Sequence, residues 1–114
     1  DGIRLGELEG EFLELNGWEA ESDASKLLST LGVDIKYHDL LMKDIPSNDK
    51  VKVLLAKSIC EQANIYIWDE PLNYIDIFSR MQLEKLIEEY QLTMIFVEHD
   101  EKFSNKIATN IIEL

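Results

Sequence analysis

The sequence is poor in cations and cysteine, and each shortage excludes something. Eleven Lys and Arg stand against 23 Asp and Glu, a formal net charge of −12. Phosphate backbones are held by clustered Lys and Arg that displace counterions, so this piece offers no direct nucleic-acid surface. The single cysteine, Cys60, can form no internal disulfide; lying in a helical pattern, it is expected to be a small buried hydrophobe. No apolar run approaches the ~20 residues of a membrane-spanning helix, and no leader pattern opens the chain. A cytoplasmic protein without membrane contact is expected. There are two histidines, and His38 has no second ligand-type residue at metal spacing, which makes it a surface or capping histidine.

What is present is an organised α/β pattern. The chain of 114 residues suits one small domain, and at 46% hydrophobic it can bury a modest core. Ile65-Tyr66-Ile67-Trp68 is a short apolar run of β-branched and aromatic residues, which predicts a strand buried on both faces. It runs into Asp69-Glu70-Pro71, where Pro71 lacks an N–H and biases Glu70 toward extended geometry. Thr93-Met94-Ile95-Phe96-Val97 repeats the pattern and is followed by Glu98-His99-Asp100. Between them, Leu83, Leu86, Ile87 and Tyr90 lie on one face of a helix over Ile77–Tyr90, with Asp76 as its N-cap. Strand, helix and strand in this order predict a parallel, right-handed βαβ unit. Asp69, Glu70 and His99 then share the carboxyl edge of the sheet, where open α/β sheets bind ligands. Strands are expected near Asn64–Trp68, Thr93–Val97 and Asn110–Leu114. Close in sequence and near one sheet edge, Asp69, Glu70 and Asp76 are expected to repel one another, and Glu70→Gln to stabilise the chain slightly.

Upstream, Leu5, Leu8, Phe12 and Leu15 form one apolar seam of a helix over Asp1–Leu15. Asn16-Gly17 is a turn, and Trp18 is expected to anchor the next helix. That helix is capped by Ser22, faces inward through Ala24, Leu27, Leu28 and Leu31, and ends at Gly32. Val33 to Asn48 is irregular. A helix over Lys50–Gln62, capped by Ser47 or Asn48, feeds the first strand.

The segment from Ile65 to Asp76 resembles the Walker B and D-loop region of ATP-binding cassette (ABC) ATPases, and Phe96 to Phe103 resembles their switch-histidine loop. Asn73 and Asp76, with His99-Asp100-Glu101-Lys102-Phe103, are similar to the ABC-F subfamily, in the flavour of its antibiotic-resistance and ribosome-protection members. Residues 1–48 resemble the helical subdomain of a cassette, and residues 49–114 its α/β portion. The resemblance implies a partial P-loop NTPase fold with a short parallel sheet, flanking helices and that helical subdomain. It also implies ATP and Mg²⁺ as the parent's cofactors. Asp69 would hold Mg²⁺ through water, Glu70 would act as general base, His99 would contact the γ-phosphate, and Asp76 would lie at a cassette–cassette interface. The partners implied are a second cassette or a missing N-terminal half, and the ribosome through the parent.

Two family features are absent. No G-x-x-x-x-G-K-[ST] loop occurs, although its amides and lysine are what hold the β- and γ-phosphates. The signature positions read Ile45-Pro46-Ser47-Asn48-Asp49, without glycines and with a carboxylate facing the expected nucleotide. The chain alone is therefore expected to bind no ATP and to be inactive. The alternative is a non-enzymatic interaction module that has kept the cassette fold and lost its chemistry.

Overall fold

The computed structural model describes all 114 residues. In chain order the elements are α1 (Gly2–Glu14), α2 (Ala20–Thr30), α3 (Ser47–Cys60), β1 (Tyr66–Asp69), α4 (Ile77–Tyr90), β2 (Met94–Val97) and α5 (Glu101–Ile107). Short 3-10 turns at Gly17–Glu19, Ile35–Tyr37 and Met42–Asp44 fill the irregular stretches.

The βαβ unit forms as the two apolar runs predict. β1 and β2 pair in parallel, in register from Tyr66 opposite Met94 to Asp69 opposite Val97. The helix between them spans the predicted residues, and the Asp76 carboxylate accepts from the Ser79 amide at 2.8 Å. Leu27 and Leu31 of α2, Leu55, Ala56 and Ile59 of α3, Tyr66 and Trp68 of β1, Leu83, Leu86 and Ile87 of α4 and Phe103 of α5 make one core cluster. The Trp68 indole N–H donates to Ser58 Oγ at 3.0 Å, which ties β1 to α3.

Several expectations are corrected. The sheet is buried on one face only: Tyr66 and Trp68 point into the core, whereas Ile67 is 76% and Ile95 64% exposed. Apolar composition records a strand's hydrophobicity, and which faces are covered depends on what packs there. Asn110–Leu114 is not a strand; it pairs with neither β1 nor β2 and leaves Ile111 and Ile112 exposed. α1 buries none of its residues, so its apolar seam lies open. Trp18 is exposed and touches the Phe12 ring edge-on, with centroids 4.9 Å apart. Ser22 lies inside α2, and Pro46 rather than Ser47 or Asn48 precedes the first turn of α3, without a side-chain cap. Cys60 is exposed, though partial desolvation, and then the charge of Asp23, still push its thiol up. His38 is half-buried: its Nε2 lies 3.1 Å from the Val33 carbonyl and its Nδ1 3.1 Å from Ser25 Oγ.

Gly32 ends α2 as predicted. Its φ of +84° is the left-handed conformation, and the Gly32 and Val33 amides reach back to the Ser29 and Leu28 carbonyls at 3.0 and 2.9 Å. This pair of hydrogen bonds closes the last turn of the helix.

Candidate functional site

Parallel pairing brings the carboxyl ends of β1 and β2 side by side. Asp69 ends β1 with its side chain exposed. The Glu70 amide extends the ladder by donating to the Val97 carbonyl at 2.8 Å. Its φ of +46° is left-handed and corrects the extended geometry expected before Pro71. Such a conformation costs a non-glycine residue about 1–2 kcal/mol and persists only where its surroundings impose it. Here they do so twice: the ladder holds the Glu70 amide, and the Glu70 carbonyl accepts from the Asn73 amide at 3.1 Å. The turn sends the Glu70 carboxylate back over the strand ends. One oxygen lies 3.1 Å from His99 Nε2, and the other accepts from Asn73 Nδ2 at 2.6 Å.

The expectation of mutually repelling acids is thus corrected as well. Glu70 has two partners, and Asp76 has Lys52. The Lys52 ammonium is 2.8 Å from Asp76 and 3.3 Å from Asp49. The residue is only 4% exposed, so its charge is held between carboxylates rather than by water. Lys52, then the Ser79 amide, hold Asp76 well below the usual carboxylate range. Asp49 is itself buried against Lys52. The acid at the signature position therefore turns inward, and it does not present a free charge.

Sequence reasoning missed three residues around this edge. Glu98 accepts from the Leu72 amide at 3.3 Å and from the His99 and Asp100 amides at 3.0 and 3.4 Å. Arg80, in the first turn of α4, forks onto both oxygens of Asp100 at 2.7 and 2.6 Å. That pairing keeps the Asp100 carboxyl below its ordinary value. Lys52 is the third. The i,i+3 spacing from Asp49 and the i,i+4 spacing from Arg80 to Glu84 were visible, but their partners across the fold were not.

A cleft of about 380 Å³ opens beside the end of β1, lined by Val51, Leu54, Ile67, Asp69, Glu70, Pro71 and Tyr74 among others. No three His, Cys, Asp or Glu side chains converge as a metal cage. Asp69 nevertheless fits a Mg²⁺ site of the kind that takes one or two carboxylates, waters and substrate phosphates. Its carboxylate is exposed at a strand end, beside the cleft. No helix is long and apolar enough to cross a membrane.

Comparison with known proteins places this geometry in context. No family model matches the chain. Over all 114 residues it is 46% identical to a segment of the uncharacterized ABC transporter ATP-binding protein YkpA of Bacillus subtilis (strain 168), covering 21% of that protein. It is 33% identical over the same length to the probable ATP-binding protein YbiT of Escherichia coli O157:H7, covering 22%. It is 28% identical to ATP-binding cassette sub-family F member 3 of Mus musculus, covering 16%. The chain thus spans about a fifth of the length of the curated relatives it matches.

Proposed function

The chain belongs to the ABC-F type of ATP-binding cassette proteins, and from that premise we propose that it forms the catalytic-carboxylate side of a nucleotide-binding domain and does not turn over ATP alone. Residues 1–48 are the helical-subdomain portion and residues 49–114 the α/β portion of a partial P-loop cassette fold. The observation that carries this reading is the Glu70–His99 contact of 3.1 Å beside Asp69 at the carboxyl edge of two parallel strands.

In the reading proposed, Glu70 accepts a proton from the attacking water as general base, and Asn73 and His99 fix the orientation of its carboxylate. His99, exposed above the sheet edge, meets the γ-phosphate. Asp69 would hold Mg²⁺ through water, and the ion would neutralise charge that develops on the phosphates. Asp76 and Lys52 set the start of α4 where a second cassette would dock. The longer protein acts in the cytoplasm on the ribosome, in the manner of the antibiotic-resistance or ribosome-protection members.

What holds a triphosphate most firmly, the Walker A amides and lysine, does not occur in these 114 residues. A non-enzymatic module derived from a cassette is the second reading, favoured by the Asp49 carboxylate turned inward onto Lys52 in place of an open signature loop. Calorimetric titration of the chain with Mg-ATP at moderate salt tests the first. We expect no saturable heat in the micromolar range; a micromolar isotherm would contradict it. Joining the chain to a Walker A half, with Leu-Ser-Gly-Gly-Gln written into positions 45–49, is expected to give ATPase activity. A module would gain none.

A further inference from the structure

His99 is 83% exposed at its side chain, and the ring's one close polar neighbour is the Glu70 carboxylate, 3.1 Å from Nε2. A solvent-exposed imidazole has no packing to fix it, so its place is set by its backbone. Both of its neighbours in sequence are anchored. On one side, Glu98 reaches across to the Leu72 amide, which follows the Glu70 turn, and also accepts from the His99 amide itself. One carboxylate therefore ties the two strand ends together. On the other side, Arg80 grips both oxygens of Asp100, and Asp100 in turn accepts from the amide of Phe103, a ring that is wholly buried. Arg80 is itself braced by Glu84, a buried carboxylate that also holds Lys106 at 2.7 Å.

We propose that Arg80 and Glu98 are positioning residues that hold His99 within reach of Glu70, Arg80 through Asp100 and Glu98 through the Leu72 and His99 amides. The proposal rests on the reading of Glu70 and His99 as site residues. The planar fork matters more than the charge. Two parallel bonds fix the plane of the Asp100 carboxylate, which a lysine cannot do. A displacement of about 1 Å at a reacting group can cost about 10²-fold in rate, so supporting residues of this kind are expected to act on turnover rather than on affinity.

The test compares Arg80→Met, Arg80→Lys, Glu98→Ala and Glu98→Gln. In the 114-residue chain, nuclear Overhauser contacts between the His99 ring and the Glu70 methylenes report the pair directly. We expect them to vanish in Arg80→Met and Glu98→Ala, and to weaken in Arg80→Lys and Glu98→Gln, variants that keep size and much of the polarity. In the longer ATP-hydrolysing protein that carries the segment, we expect kcat to fall by about 10–100-fold with KM for ATP little changed. Contacts that persist in every variant would overturn the proposal, as would a lower melting temperature with unchanged kcat. His99→Ala separates the two claims. If it leaves kcat intact, the reading of His99 as a site residue fails, while the Overhauser contacts still decide whether Arg80 and Glu98 position it.

Discussion

Asp76 shows how one side chain can serve the fold in two ways. It caps α4 through the Ser79 amide and pairs with Lys52 at 2.8 Å. A carboxylate depressed in the folded state adds stability above its unfolded value, about 3.9, and loses that stability as pH falls toward its folded value. The Asp76 side chain is 49% exposed, so the effect is modest. Asparagine still caps, so Asp76→Asn removes mainly the charge. We expect the variant to melt below the parent at neutral pH, with the gap closing from about pH 4 downward; a gap that does not change with pH would contradict the ion pair. Lys52 carries more. Lys52→Met leaves Asp49 buried without its cation and is expected to cost about 3 kcal/mol in urea denaturation, much of it recovered by adding Asp49→Asn. The cap at Asp76 was legible because an acid precedes an amphipathic run. Lys52 was not, because its second partner is brought by the fold from another helix.

At the scale of elements, what could be seen in the sequence was whatever is specified locally. α4 starts and ends where its cap and apolar spacing put it, β2 falls within its apolar run, and β1 runs one residue past its own to end at Asp69. Gly32 closes α2 because only glycine adopts its φ without strain. Gly32→Ala would force a Cβ into the left-handed region, 3.2 Å from Ser79 Oγ. We expect a loss of about 1–2 kcal/mol, read from the urea midpoint; an unchanged midpoint would mean the turn relaxes. The expected third strand failed for a complementary reason. Asn110–Leu114 has the composition of a strand, but a strand needs a partner to bond, and this segment joins neither β1 nor β2. The buried second face of the sheet and the seam of α1 failed likewise: an apolar pattern says that a surface can be covered, not that it is. The edge chemistry was half legible. The order of strand, acids, helix, strand and histidine placed Asp69, Glu70 and His99 together, whereas the left-handed turn at Glu70 ran against the usual effect of a following proline.

At the scale of the molecule, a net charge of −12 opposes an anionic ligand, over a range of roughly 8 Å at physiological salt. The exposed sheet face and the open α1 seam belong to a piece that spans about a fifth of its relatives. The central claim is that Glu70 supplies the base when the rest of a cassette is present. The most direct measurement is ATP turnover of the longer protein carrying this segment, compared with its Glu70→Gln variant, with nucleotide binding followed in parallel. Glutamine keeps the size of the side chain and can still accept from Asn73, but it cannot take a proton from water. The expected result is a fall in kcat of about 10²–10⁴-fold with ATP binding retained; turnover within a few fold of the parent would contradict the assignment.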